Sequence, residues 1–267
     1  MTPLLSIEGL SVRFGGVRAL DDVSFDVDAG DFVGLIGPNG AGKTTFMDAV
    51  TGLVPSTGRV VLDGHDLNRE RPHVRVRQGI SRTFQSLELF EDLTVRENLT
   101  VAAERSHWWS LARDLVRPRP APSTASSIDE ALERLEIGAI AHQLPPDLSL
   151  GQRKLVTVAR ALAQRPRLLL LDEPAAGLDS HEGGEFGRRM RALVGTGVTI
   201  VMIDHDMSLV LRVCDRIQVL DFGRLIASGT PDEIRSSERV IHAYLGADDD
   251  AENDAPDDLS ATTGERP

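Results

Sequence analysis

The chain has 267 residues, 41% of them hydrophobic, and its 29 Lys and Arg against 41 Asp and Glu give a net charge of −12. This size and apolar content suit one large domain or two small ones, and the acidic balance argues against a nucleic-acid binder that relies on bulk positive charge. A single cysteine, and the lack of any apolar run near the ~20 residues that span a bilayer, argue against a disulfide scaffold and a membrane-spanning protein. The N-terminus has no basic region before an apolar stretch, so we expect no signal peptide.

The N-terminal residues alternate apolar and polar side chains, as in Leu5 and Ile7 and again in Val23 and Phe25, which predicts strands. An apolar run over 32–36 then enters a Gly-rich loop, and a helix is predicted over 43–53. A further strand is expected over 59–62.

Residues 37–44 read GPNGAGKT and fit the pattern G-x-x-x-x-G-K-[ST]. Glycines in such a loop let backbone N–H groups converge on phosphate oxygens, and the helix that follows adds its N-terminal dipole. Lys43 is predicted to reach the β- and γ-phosphates of a nucleotide, and the Thr44 hydroxyl to bind Mg²⁺. The pattern by itself does not separate a kinase, a GTPase and a transport ATPase.

Three prolines within residues 117–127 predict a surface loop there. Ser127 with Glu130 resembles a capping box, so we expect a helix to begin at Ser127. Farther on, apolar runs over 168–171 and 198–203 predict central strands buried on both faces, alternating with helices. This alternation predicts a mainly parallel sheet covered by helices.

The run over 168–171 ends in Asp172 and Glu173. Ligands of an open α/β sheet bind at the carboxyl ends of its strands. Asp172 is therefore predicted to hold Mg²⁺, usually through water, and Glu173 to polarise the attacking water.

Residues 148–152 read LSLGQ, which resembles the LSGGQ signature of the ATP-binding-cassette family with Leu150 in place of a glycine. In that family the serine and the following glycine, here Ser149 and Gly151, hold the γ-phosphate bound on a partner subunit. Ser149 also suits the N-cap of an amphipathic helix, and the two interpretations are compatible because a helix N-terminus binds phosphate.

Further residues resemble other elements of the family. Gln85 lies 42 positions after Lys43, like the Q-loop glutamine that senses Mg²⁺ and water, and His205 lies 33 after Asp172, like the histidine that contacts the γ-phosphate. Phe14 resembles the aromatic residue that stacks on adenine, and Asp179 the D-loop aspartate at the dimer interface. The predicted catalytic residues are Glu173, His205 and Gln85; the metal ligands are Thr44, Gln85 and Asp172; the nucleotide contacts are Phe14, Gly37, Pro38, Asn39, Gly40, Ala41, Gly42, Lys43, Thr44, Thr45, Ser149, Gly151, Gln152 and Asp179.

The resemblance implies an α/β fold with a RecA-like phosphate-loop core, a parallel sheet, an N-terminal antiparallel β region and an α-helical insert. We expect one ATPase domain over 1–246, with its core at about 1–86 and 164–222, the insert at about 87–163 and a C-terminal extension at about 223–246. Residues 247–267 carry eight of the acids and are predicted to be a disordered tail.

Segments such as SRTFQSLELF at 81–90 and VIHAYLG at 240–246 resemble the subgroup that energises uptake of branched-chain amino acids and related amides. The implied activity is hydrolysis of ATP in the presence of Mg²⁺, which drives transport through multi-span permease subunits. A substrate-binding protein is an indirect partner, and no nucleic acid is expected to bind. The implied location is cytoplasmic, on the inner face of the cell membrane.

A head-to-tail dimer with a second ATPase subunit, the same chain or a paralogue, is expected. The alternatives are a lipopolysaccharide-export type of ATPase and a soluble, non-transport cassette protein.

A groove for the permease is expected over about 83–100, where Phe84, Leu87, Leu89, Phe90 and Leu93 provide an apolar lining. In contrast, Trp108 and Trp109 are expected to cap a small core, and Cys214 to be an inert core thiol. The arginines within 69–82 form a basic cluster that suits either a solvated face or anionic lipid headgroups.

Overall fold

A computed structural model describes residues 2–84, 89–103 and 122–244. Within these ranges the chain forms two sheets, one of four strands and one of six. Their strands are β1 Leu5–Phe14, β2 Val17–Val27, β3 Phe32–Ile36, β4 Thr57–Leu62, β5 His65–Asp66, β6 Ile80–Arg82, β7 Leu168–Asp172, β8 Thr199–Ile203, β9 Arg216–Asp221 and β10 Arg224–Gly229.

The helices in the described residues are α1 Lys43–Thr51, α2 Pro72–Arg77, α3 Val95–Ala103, α4 Pro122–Arg134, α5 Leu150–Leu162, α6 Ser180–Val194, α7 Met207–Val213 and α8 Pro231–Arg235. Short 3-10 turns lie at Gly138–Ile140 and Pro145–Asp147, and residues 238–244 are helical. Among the helices described, none has both the length and the apolarity that crossing a bilayer requires.

The larger sheet has the strand order β10-β9-β3-β8-β7-β6. All neighbouring pairs in it are parallel except β10 with β9. The smaller sheet, β2-β1-β4-β5, is antiparallel throughout. These two sheets confirm the predicted α/β fold with a parallel central sheet and an N-terminal antiparallel region.

Two apolar cores cover the two faces of the central sheet. Strand β7 is buried along its whole length, and its side chains alternate between the cores. Leu169 and Leu171 pack in the core that contains α3 to α7, whereas Leu168 and Leu170 pack in the core shared with α1 and the antiparallel sheet. A strand covered on both faces needs apolar side chains at every position, which explains the continuous run in the sequence.

The predicted start of α4 is wrong. The helix begins at Pro122, and Ser127 lies inside it, buried, with its hydroxyl donating to the carbonyl oxygen of Thr124. Proline suits the first turn of a helix because its missing N–H has no intrahelical acceptor there. The helix packs against the core through one face, on which Ile128, Ala131 and Leu132 are buried.

The arginines of α2 and β6 do not form a wholly solvated face. Arg75 is buried, and its guanidinium donates to the carbonyl oxygens of Ala49 and Val50 at 2.8 Å, near the C-terminus of α1. Burial lowers the pKa of Arg75, while Glu70 and Asp66 oppose this change. The residue thus joins α2 to α1 rather than offering a charge to a lipid surface.

The C-terminal part returns to the central sheet. Strand β10 pairs with β9, and Thr230 and Glu233 form the reciprocal capping box that begins α8. Cys214 is buried between β3 and α7, as predicted for a core thiol. Trp108, Trp109 and the acidic tail at 247–267 lie outside the described residues.

Candidate functional site

The predicted phosphate-loop residues, Asp172, Glu173 and His205 follow three adjacent parallel strands at their carboxyl ends. Strand β3 leads into the loop at 37–42, β7 ends at Asp172, and β8 is followed by Asp204 and His205. This edge is where an open α/β sheet binds its ligands.

The loop at 37–42 requires glycine at two positions that the pattern specifies. Gly37 has φ 151°, and a Cβ atom there would overlap the carbonyl oxygen of Leu220. Gly42 has φ 101°, and a Cβ atom there would lie 2.5 Å from the carbonyl oxygen of Ala19. Any larger residue at either position would move the loop away from β9 or β2.

Helix α1 begins directly after this loop with Gly42 as its N-cap, so its first N–H groups have no side-chain cap, and its first turn contains no acidic residue. The N-terminus of α1 therefore offers unpaired backbone donors and a positive dipole end to an anion. Asn39, Gly40 and Thr44 are exposed around it, Pro38 and Thr45 are half-buried, and Ala41 is buried.

Lys43 lies across the mouth of the loop. Its ammonium donates to the carbonyl oxygens of Gly37 at 2.7 Å and Pro38 at 2.9 Å. Burial lowers the pKa of Lys43, and the carboxylates of Glu173 and Asp172 oppose that shift. The ammonium is thus placed between the phosphate loop and the two acids at the end of β7.

Asp172 forms an ion pair that the sequence did not reveal. Arg82 donates from Nη2 to Oδ2 of Asp172 at 2.7 Å and from Nη1 to Oδ1 of Asp48 at 2.5 Å. The side chains of Arg82 and Asp172 are only 5% and 9% exposed. In the sequence, the signal for this ion pair was the position of Arg82, a charged residue at the end of a short core strand and three positions before Gln85.

Glu173 follows β7 in a left-handed backbone conformation with φ 45°, which is uncommon for a non-glycine residue. Its N–H donates to the carbonyl oxygen of Ile203 at 2.9 Å. His205 lies across from it: Nδ1 is 4.0 Å from Oε2 of Glu173 and 3.8 Å from Oδ1 of the buried Asp204. The strained backbone and the exposed imidazole are the features of a reactive site rather than of a packed core.

The chain contains only two lysines, and both lie near Glu173. Lys154, on α5, is 7% exposed and lines a small cleft with Thr83, Phe84, Asp172, Glu173 and Pro174. Burial lowers the pKa of Lys154, and the charges of Asp204 and Glu173 oppose that shift. Sequence reasoning missed this cation, although the scarcity of lysine beside many arginines was a usable signal.

The signature residues form a second group, next to the D-loop. Ser149 accepts the N–H of Gln152 and Gln152 bonds back to the N–H of Ser149, which confirms the predicted N-cap of α5. A Cβ atom on Gly177 would lie 3.3 Å from Leu150, and Asp179 caps α6 by accepting the N–H groups of His181 and Glu182. No hydrogen bond or ion pair among the described residues joins Ser149, Gly151 or Gln152 to the loop that holds Lys43.

Two other predicted residues lie at the margins of this site. Phe14 is exposed at the end of β1, where it pairs with Val17 at the turn of a hairpin. An exposed aromatic ring at a hairpin tip is free to stack on a planar base. Gln85 lies outside the described residues.

The arrangement fits a magnesium nucleotide. Mg²⁺ prefers oxygen ligands and keeps several waters or phosphate oxygens among them. The Thr44 hydroxyl is exposed at the start of α1, and the Asp172 carboxylate presents a second oxygen donor at the end of β7. Two protein oxygens beside a free helix N-terminus leave the other positions to water and phosphate.

Comparison with known families identifies two regions of the chain. The family described as ABC transporter matches residues 20–176. A second family, described as branched-chain amino acid ATP-binding cassette transporter, matches residues 224–250.

Individual proteins match over most of the chain. The high-affinity branched-chain amino acid transport ATP-binding protein BraF of Pseudomonas aeruginosa is 38% identical over 91% of this chain and 98% of its own length. The lipopolysaccharide export system ATP-binding protein LptB of Escherichia coli is 36% identical over the same shares.

Solved structures agree with these matches. A crystal structure of the ADP conformation of an ATP-binding cassette of an ABC transporter has a TM-score of 0.82 and 31% identity, covering 92% of this chain and all of that one. A dimeric, post-hydrolysis structure of another cassette, bound to ADP and Pi, has a TM-score of 0.67 and 27% identity, covering 85% of this chain and 98% of that one.

Proposed function

The chain belongs to the ABC transporter family, and we propose that it is the nucleotide-binding subunit of an importer of branched-chain amino acids or a related small amide. As a member of that family it binds and hydrolyses ATP. The observation that carries the substrate class is the C-terminal match at 224–250, which belongs to branched-chain amino acid cassettes and is separate from the nucleotide motifs.

The lipopolysaccharide-export alternative receives less support. LptB is similar over the same share of the chain as BraF but is slightly less identical, at 36% against 38%. The C-terminal family match favours import over export. We therefore treat export as an outcome of the uptake experiment below rather than as a second proposal.

We assign the chemistry to residues of both groups. In this proposal Thr44, Gln85 and Asp172 are the ligands of Mg²⁺, which would neutralise charge on the phosphates. Lys43 and the N–H groups of the phosphate loop bind the β- and γ-phosphates. Glu173 polarises the attacking water. His205, whose Nδ1 lies 4.0 Å from Oε2 of Glu173, contacts the γ-phosphate. Phe14 stacks on the adenine.

In this proposal a second subunit completes the site that binds the γ-phosphate at Lys43. Ser149, Gly151 and Gln152 begin α5, whose N-terminus suits a phosphate. Gly151 lies beside Leu178, and among the described residues none of the three makes a hydrogen bond to the phosphate loop of its own chain. A head-to-tail dimer would supply them, with Asp179, to the nucleotide of the other subunit, and the similarity to a dimeric cassette supports this arrangement.

We further propose that the subunit lies on the cytoplasmic face of the membrane and works with multi-span permeases, with a substrate-binding protein acting through them. The predicted division of the chain also stays a proposal: a core at 1–86 and 164–222, an insert at 87–163, an extension at 223–246 and an acidic tail at 247–267. Within the described part of the insert the chain forms helices and turns, and the extension contributes β10 to the central sheet.

The docking surface for a permease is proposed around Phe84 and Phe90, which are 50% and 48% exposed although aromatic. Each ring makes a cation–π contact with an arginine, Phe84 with Arg82 at 5.0 Å and Phe90 with Arg160 at 5.5 Å from ring centroid to Cζ. Leu89 packs inward against the core behind them, whereas Leu87 lies outside the described residues. An exposed apolar surface of this kind suits an amphipathic helix of a partner.

Replacing Phe90 with aspartate is expected to abolish co-purification with the permease while nucleotide binding stays intact. The change puts a charge in the middle of an apolar contact and removes no contact to the phosphate loop. Val76→Asp on α2, where the parent side chain is 45% exposed, is the matched control and should retain the permease. Loss of nucleotide binding together with the permease would show that Phe90 is a core residue.

The proposed substrate class is tested by uptake. Cells of the source organism that lack this gene should lose uptake of radiolabelled leucine, isoleucine and valine, and the parent gene should restore it. Matched uptake of urea and short amides distinguishes the related substrates. Unchanged uptake of all of them, with a defect in export of surface lipid, would support the export alternative instead.

A further inference from the structure

Arg82 joins three elements that deliver residues to the site. It ends β6, and its two Nη atoms bond Asp48 on α1 and Asp172 at the end of β7. The guanidinium therefore connects the helix that follows the phosphate loop to the strand that carries the proposed metal ligand. Two residues beyond Arg82 the chain reaches Phe84, on the proposed docking surface.

The burial of this cluster makes its geometry strict. The side chains of Arg82 and Asp172 are 5% and 9% exposed, and that of Asp48 is 28% exposed. The Phe84 ring covers the guanidinium, with its centroid 5.0 Å from Cζ, and Nε of Arg82 has no acceptor among the described residues. Because buried charges need hydrogen-bonded partners, the two-pronged Arg82 guanidinium has little freedom to leave the carboxylates of Asp48 and Asp172.

The ion pair with Arg82 uses one of the two carboxylate oxygens of Asp172. Arg82 bonds Oδ2, which leaves Oδ1 outside the ion pair. An ion pair at one oxygen restricts rotation of the carboxylate about its Cβ–Cγ bond, and it thereby restricts the direction of the other oxygen. Residues that bond a metal ligand without touching the metal orient that ligand and affect how tightly the site binds its ion.

We propose that Arg82 is a positioning residue for the metal of this ATPase: it holds the carboxylate of Asp172 in the orientation that binds the nucleotide-associated Mg²⁺. The inference rests on the proposed function, in which Asp172 binds that ion. Arginine is required because only its planar fork reaches both carboxylates at once, whereas a lysine ammonium is a single point charge.

The test compares Arg82→Lys with Arg75→Lys. Both parent arginine side chains are buried and both contact α1, but Arg75 donates to backbone carbonyl oxygens of that helix and has no hydrogen bond or ion pair with Asp172 among the described residues. The first readout is binding of Mn²⁺, followed by electron paramagnetic resonance, to protein loaded with a non-hydrolysable ATP analogue. The second is the concentration of Mg²⁺ that gives half-maximal ATP turnover, and the third is affinity for the analogue in EDTA.

Arg82→Lys is expected to raise the half-saturating metal concentration about tenfold or more, the range typical for loss of a residue that orients a metal ligand, while affinity for the metal-free nucleotide stays at the parent value. Arg75→Lys should lower the melting temperature and leave the metal dependence unchanged. A lower melting temperature in both variants, with an unchanged half-saturating metal concentration in Arg82→Lys, would show that Arg82 only stabilises the fold, and it would contradict the proposal. Tighter metal binding in Arg82→Lys would show that Arg82 opposes the ion, and it would also overturn the proposal.

Asp48→Ala covers the case in which Arg82→Lys does not fold. It removes the carboxylate that pairs with Arg82 outside the metal site, which is the more exposed of the two acids. Arg82 then has one anchor, so the half-saturating metal concentration should rise in the same direction but by less. An unchanged value contradicts the proposal. If the parent itself hydrolyses no ATP in the presence of Mg²⁺, the proposed function fails first, and this separates the two results.

Discussion

Lys43→Ala is expected to lower ATP turnover by about 10²–10³-fold, the loss typical when one preorganised donor to a developing charge is removed. Lys43 is the ammonium placed between the loop at 37–42 and the carboxylates of Asp172 and Glu173. Without it, the γ-phosphate loses its main cation in the proposed site. Turnover of the purified variant, followed as phosphate release, measures this directly.

The same side chain also ties the loop together through Gly37 and Pro38, so the fold of the variant has to be checked. The melting temperature without nucleotide serves this purpose, and Lys43→Met, which keeps the apolar stem, is the companion variant. We expect both variants to melt as folded proteins and neither to gain thermal stability from ATP. Turnover near the parent value in either one would contradict the assignment of the phosphate site.

Glu173→Gln is expected to lower turnover by about 10²–10⁴-fold while ATP binding survives. The amide keeps the shape of the carboxylate but lacks the negative charge that polarises the attacking water. Lys43, Thr44 and Asp172 still hold the nucleotide in the proposed site, so binding of a fluorescent ATP analogue should match the parent.

Glu185→Gln on the exposed face of α6 is the matched control for this change, because Glu185 pairs only with Arg188 among the described residues. It should hydrolyse ATP as the parent does. Near-normal turnover by Glu173→Gln would remove Glu173 from its proposed role and leave His205 as the candidate for orienting water.

Local sequence signals predicted the elements that carry the site. The apolar runs at 32–36 and 168–171 became β3 and β7, and the pattern ending in Lys43 and Thr44 became a loop followed by α1. The capping signal at Ser149 was correct as well. In each case the cause lies within a few residues: a strand covered on both faces, a glycine with positive φ, or a side chain that bonds the first turn of its own helix.

Other features depend on contacts that are distant along the chain. Arg82 is 90 residues from Asp172, and Arg75 is 26 from Ala49, so composition alone suggested a basic surface where the fold buries both guanidinium groups. Ser127 resembled a cap because Ser and Glu stand three apart, but the helix begins five residues earlier at Pro122. Tertiary packing decided these cases, and no local pattern encodes it.

The central claim is that the ATP site of one subunit is completed by the signature residues of another. The most direct test is the molar mass of Glu173→Gln by light scattering on a size-exclusion column, in ATP with Mg²⁺ and in ADP, for the chain alone and with any cassette subunit that co-purifies with it. We expect a dimer in ATP and a monomer in ADP, because uncleaved γ-phosphate bridges Lys43 of one subunit to Ser149 and Gly151 of the other. A monomer in ATP in both preparations, with nucleotide bound, would contradict the composite site.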